Sequence, residues 1–116
     1  MKQELIDRLM RDDATIEVDS SIGKIIGFTS DKFARCSYLT IVKGYGIMIS
    51  AIETVGMKEH TGHFRALIKA LERFGVPIRI PTPSRRMYDI MKKAGWRYGE
   101  DTSGLTFMTN ERIKND

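Results

Sequence analysis

The residues best placed for chemistry lie between Gly46 and Gly75. An apolar run, Ile47 to Val55, leads into a polar loop, Gly56-Met57-Lys58-Glu59-His60-Thr61-Gly62-His63. An amphipathic segment starting at Phe64 follows and closes at Gly75. A strand that enters a helix through a glycine-bearing loop favours anions, because the first backbone N–H groups of the helix have no partner inside it. His60 and His63 are three apart, a spacing compatible with a metal, but no third or fourth ligand stands nearby. Arg85 and Arg86 open a later helical segment, where the helix dipole would prefer acids. That placement points to an anionic ligand or partner, or else to a solvated face. Cys36 is the only cysteine. It excludes an internal disulfide, has no histidine beside it to activate it, and is expected as a small buried hydrophobe.

Those residues need a scaffold. The run Ile47, Met48, Ile49, Ala51, Ile52 and Val55 hardly alternates, which predicts an interior strand over 47–55 covered on both faces. Phe64, Leu67, Ile68, Leu71 and Phe74 recur at three and four, giving one helical face, with Arg65, Lys69, Glu72 and Arg73 toward water. Gly75 suits the left-handed turn that ends a helix. Upstream, residues 2–11 predict a short helix with Leu5, Ile6, Leu9 and Met10 on one face. Residues 14–18, 22–28 and 36–43 predict strands, and Gly44-Tyr45-Gly46 a hairpin to the apolar strand. Downstream, 76–80 predicts a strand parallel to the first. Ser84 is placed to cap a helix over 85–94, with Met87, Tyr88, Ile90, Met91 and Ala94 inward. Gly95 ends it, a strand starts at Trp96–Tyr98, 99–104 turns, and 105–109 is the last strand. Tyr45 reads as a surface or interface aromatic and Trp96 as core.

The expected architecture is one α/β (α+β) domain over 1–116. It has a mixed, mainly antiparallel sheet, a central βαβ unit and flanking helices. Hydrophobic residues make up 41% of the chain and charged residues 29%, an ordinary globular composition. The net charge of +4 is too small to imply nucleic acid by itself. Zinc-finger, RNA-binding, P-loop and dinucleotide signatures are absent, so nucleic acid is not the expected partner. The first residues are charged and predict no signal peptide. No window is long and apolar enough for a membrane span. A cytoplasmic setting is expected. A homodimer through an open edge, at strand 105–109 or the early strands, is conceivable.

From residue 45 to 109 the chain resembles the GCN5-related N-acetyltransferase (GNAT) superfamily, and within it small phage-encoded divergent members. Gly62 matches the first glycine of the family's pyrophosphate loop, and Gly95-Trp96 matches its closing Gly-Phe pair. The resemblance implies a splayed pair of parallel strands with acetyl-CoA between them. It implies cofactor contacts from strand backbone at Ile52 and Thr54, from His60, Thr61, Gly62, His63 and Phe64, and from Arg85. It further implies Glu53 as general base and Tyr88 as acid toward a small amine acceptor. The chain departs from the pattern at several places, Ser84 standing where asparagine is common. Glu59 stands where a basic or amide residue belongs, Phe64 where a small one belongs, and Met91 where many members carry the catalytic tyrosine. Those departures imply a divergent, catalytically inactive accessory or virion protein of a phage, binding a macromolecular partner in the host cytoplasm or the particle. The alternative is an acetyl-CoA-dependent N-acyltransferase.

Overall fold

The computed structural model describes residues 4, 7, 11–55 and 62–111. Six strands form one sheet in the order β1-β2-β3-β4-β6-β5. They are β1 (Ala14–Glu17), β2 (Tyr38–Val42), β3 (Gly46–Ala51), β4 (Ile78–Pro81), β5 (Arg97–Glu100) and β6 (Thr106–Thr109). Three helices with both ends among the described residues accompany them: α1 (Ser21–Ile26), α2 (His63–Glu72) and α3 (Arg85–Lys93). Every strand pair is antiparallel except β3 with β4, which α2 joins as a crossover. The mixed, mainly antiparallel sheet with a central βαβ unit is therefore present. Of the expected N-terminal helix, Glu4 and Asp7 are helical, and its apolar positions lie outside the described residues.

Register puts the core on one face. Ile16 pairs with Leu39, Leu39 with Ile49, Ile41 with Ile47, Ile47 with Ile78, and Ile80 with Met108. All of these side chains are buried and pack with Ile26 of α1, Leu67, Ile68 and Leu71 of α2, and Met91 of α3. A side-chain period of two forces the intervening residues to the other face. There, Thr15, Thr40, Met48, Arg79, Thr109 and Arg97 form one row across all six strands. Arg79 lies 3.9 Å above the Phe107 ring and 5.1 Å from that of Tyr45, and it pairs with Glu111 at 3.5 Å. Tyr45 donates its hydroxyl to Glu111 and is half-buried. It is thus an anchor of this face, not a free surface aromatic.

Three expectations need correction. Residues 22–28 do not form a strand, since α1 occupies 21–26. Ser20 Oγ accepts from Gly23 N at 3.0 Å, and Gly27, at φ 81°, closes the helix. Ile22 and Ile26, one turn apart, turn inward, while Ile25 remains 64% exposed. The β-branched run suggested a strand, but capping at both ends and the four-residue spacing prevail. Strand β3 is also shorter than 47–55 and only partly covered on its second face. Ile47 and Ile49 are buried, Met48 is half-buried, and Ser50 is exposed and hydrogen-bonded to Thr40 at 2.6 Å. Finally, strand 105–109 leaves no open edge. β6 lies between β4 and β5, so the edges are β1, as expected of the early strands, and β5.

The later elements follow the sequence closely. Gly75, at φ 72°, turns the chain after α2. Ser84 Oγ accepts from Met87 N at 3.2 Å, and Gly95, at φ 88°, lets Trp96 N return to Met91 O at 3.0 Å. Trp96 is buried, as expected. The β5–β6 hairpin is organised by Asp101, whose carboxylate accepts from Ser103 N, Ser103 Oγ and Leu105 N at 2.8, 2.6 and 3.0 Å.

These hydrogen bonds have a consequence for pH. The bonds from Ser103 and Leu105 hold Asp101 below its ordinary value of 3.8, and those from Ser30 do the same for Asp19. A carboxyl whose pKa is depressed on folding contributes stability above its unfolded value, and that stability is lost as pH falls through the folded value. Thermal melts are therefore expected to hold steady down to about pH 4 and to drop below it. Asp101→Asn is expected to lower the melting temperature at pH 7 and to shrink the acid drop. An acid profile identical to that of the parent would exclude Asp101 as a contributor.

Candidate functional site

Strands β3 and β4 stay paired only at Ile47–Ile78 and Met48–Arg79. Beyond this, β4 continues alongside β6, with Ile80 opposite Met108. The chain after β3 turns instead to the segment 32–37. Ala34 N donates to Glu53 O at 2.8 Å, Glu53 N to Ser37 Oγ at 2.9 Å, and Val55 N to Lys32 O at 2.9 Å. Thr54 bridges Phe33. The two parallel strands thus part at their C-terminal ends.

A cavity of about 760 Å³ lies here. Ile52 and Thr54 of the diverging segment form one wall. The start of α2 (Gly62, His63, Phe64, Arg65) forms the second, and Ser84, Arg85, Arg86 and Met87 at the start of α3 form the third. Asp89, Ile90 and Lys93 extend that wall along α3. Gly62, at φ 76°, stands at the N-cap of α2 and makes no side-chain capping bond. Neither helix carries an acid in its first turn. Four cations, Arg65, Arg85, Arg86 and Lys93, face one carboxylate, Asp89, which Arg85 meets at 3.5 Å. Two helix starts and a cationic rim give the cavity mouth a positive character that would favour an anion.

The sequence-predicted cofactor residues are brought together here: Ile52, Thr54, Gly62, His63, Phe64 and Arg85 all line the cavity. His60 and Thr61 lie outside the described residues, as does Glu59. Phe64 turns into the core at 8% exposure and so does not obstruct the helix start. The His63 ring lies 6.4 Å from that of Phe33, and its Nδ1 is buried without a hydrogen-bond partner. Among the described residues, no group of three His, Cys, Asp or Glu is placed to hold a metal.

The two candidate catalytic residues stand apart from this cavity. Glu53 is exposed beside the diverging segment, with Oε2 3.5 Å from Cys36 Sγ. Tyr88 is half-buried on the far side of α3, its ring edge-on to Tyr98 at 5.2 Å. Neither lines the cavity. Cys36, expected as buried, is exposed. The turn at 34–37 sends its thiol outward, and Ser37, 1% exposed, takes the buried place and bonds the Glu53 backbone. Asp89 was not singled out in the sequence, Ile90 was expected only as an inward apolar residue of the helix, and Lys93 only as one of the basic residues that gather late in the chain. Their spacing from Arg86, at three, four and seven, places them on one helical stripe with it and was the available signal.

Among the described residues no helix is long and apolar enough to cross a membrane. No protein-family model matches the chain, and neither a curated protein nor a solved structure matches it significantly.

Proposed function

We propose that the chain is a GNAT-like protein whose cleft takes a coenzyme-A-type ligand, and that it serves to bind rather than to transfer an acyl group. The parting of β3 from β4 at the mouth of a cation-rimmed cavity carries this reading. The fit is physical. The cavity lies within the range of about 300–1,000 Å³ usual for small-molecule sites. The backbone N–H groups at Gly62–Phe64 and the side chains of Arg65, Arg85 and Arg86 would hold phosphates. The free edge of Ile52 and Thr54 would meet the amide-bearing arm. The ligand, when bound as a thioester, would supply an activated acyl group.

The placement of Glu53 and Tyr88 supports binding without transfer. General acid–base catalysis needs a group within hydrogen-bond reach of the reacting atoms, and both side chains lie off the cavity wall. The role of a phage accessory or virion protein rests on the sequence resemblance. The second reading, N-acyl transfer to an amine, draws on the same cavity and would require proximity and anion stabilisation to do most of the work.

Calorimetric titration with coenzyme A and acetyl-CoA tests the first statement. Saturable one-to-one binding at micromolar level is expected. No heat at millimolar ligand, for protein shown to be folded, would remove it. A thiol-release assay over a panel of amines tests the second. No release above the uncatalysed rate is expected, and clear turnover would move the assignment to an acyltransferase.

A further inference from the structure

The outer surface of α2 and α3 carries charge that lies beyond the cleft wall. On α2, Arg65, Lys69 and Arg73 recur every four residues and are all exposed. On α3, Arg85, Arg86, Lys92 and Lys93 are exposed as well, while Glu72 and Asp89 are the exposed acids of the pair. Seven cations against two acids give this face an excess of positive charge larger than the whole chain's net +4. Like charges at i, i+4 repel one another along a helix, and the one acid on α2, Glu72, three residues from Lys69, offsets only part of the stripe. Two of its members, Arg65 and Lys69, also rim a groove.

That groove, about 310 Å³, runs between the two helices. Its floor is made by Ile68, Ile90, Met91 and Trp96, and its rim, cationic on balance, by Arg65, Lys69 and the acid Glu72 on one side and Lys93 on the other. A simple polyanion would need only the rim. The combination of apolar floor and cationic rim matches a protein segment with apolar anchors flanked by carboxylates. A single-stranded nucleic acid would instead call for aromatic platforms. The exposed aromatics lie elsewhere, Tyr38 on β2 and Tyr98 at the β5 edge.

We propose that the α2–α3 face docks an acidic, amphipathic helical segment of a partner protein, its apolar stripe on the groove floor and its carboxylates against the α2 stripe. Four residues of helix rise about 6 Å. A partner helix with acids every four residues therefore repeats at the spacing of Arg65, Lys69 and Arg73.

The test uses the full chain and fluorescence anisotropy at physiological salt. The probes are a labelled helix-forming peptide with Glu at i, i+4 and i+8 and Leu along the adjacent stripe, a scrambled peptide of the same composition, and an oligothymidylate. The patterned peptide is expected to bind saturably and at least about tenfold more tightly than the scrambled one. Lys69→Glu with Arg73→Glu, both exposed and off the cleft wall, is expected to weaken it by about tenfold or more, whereas Lys24→Glu on α1 leaves it unchanged. Equal binding of the scrambled peptide would reduce the face to unspecific charge. Tighter binding of oligothymidylate would assign it to nucleic acid. Absence of saturable binding, or an equal loss in Lys24→Glu, would overturn the proposal. None of these arms contains coenzyme A, so they stand or fall apart from the cleft reading.

Discussion

Gly46→Ala is expected to be the most damaging single-methyl change in the sheet. A Cβ on Gly46 would lie 2.1 Å from the carbonyl oxygen of Pro77, a backbone atom that cannot rotate aside. That carbonyl is fixed, because it accepts from Ile47 N at 2.9 Å and so begins the parallel pairing of β3 with β4. Relief requires moving β4 away from β3, which breaks the only two register pairs the parallel strands share. The cost is expected to be about 3 kcal/mol or more. At the usual denaturant sensitivity it would shift the urea midpoint by roughly 1.5 M. Gly44→Ala is the informative comparison. Gly44 has φ 75° but nothing within 4 Å of the added carbon, so only backbone strain is paid, about 1 kcal/mol. If the two variants unfold at the same urea concentration, the close approach at Gly46 is wrong.

The second large effect is on the ligand. Arg85→Gln with Arg86→Gln removes two cations from the start of α3. Each charge-assisted hydrogen bond to a phosphate contributes more than a neutral one. The dissociation constant for coenzyme A is expected to rise about ten- to a hundredfold. Stability is expected to move little and for opposing reasons. A cation in the first turn opposes the helix dipole, so its removal helps by a few tenths of a kcal/mol, roughly. The Arg85–Asp89 pair that is lost is exposed and contributes about as little. Titration calorimetry beside a thermal melt separates the two. Unchanged affinity would place the anion away from α3, and a large loss of melting temperature would show the arginines to be structural.

The sequence was most legible where local chemistry and burial agree. Ser84 and Gly95 bracket α3 as their types require, and Phe64, Leu67, Ile68 and Leu71 lie on the buried face their spacing describes. Six of the eight proposed ligand residues meet around one cavity, because a glycine-led helix start after a strand has few geometries open to it. It was least legible where tertiary contacts decide. The run Ile22-Gly23-Lys24-Ile25-Ile26 is β-branched yet helical, since Gly23 must lie against the carbonyls of Glu17 and Phe28, 2.7 and 3.1 Å from where a Cβ would stand. The early end of β3 was hidden because Ile52 and Val55 are apolar enough to extend a strand. What stops them is Ser37, a residue far along the chain that takes the Glu53 amide. Tyr88 shares a helix with the cavity-lining Met87 and Ile90, and only the stack on Tyr98 reveals which way it turns.

The segment 32–37 that receives the chain after β3 also sets the opening of the cleft. Its three tethers, the backbones of Lys32 and Ala34 and the hydroxyl of Ser37, belong to a loop and not to the six-stranded ladder. The aperture between β3 and β4 is therefore set from outside the sheet: these tethers draw the chain after β3 away from β4, while the Leu39–Ile49 and Ile80–Met108 pairs keep the platform in register.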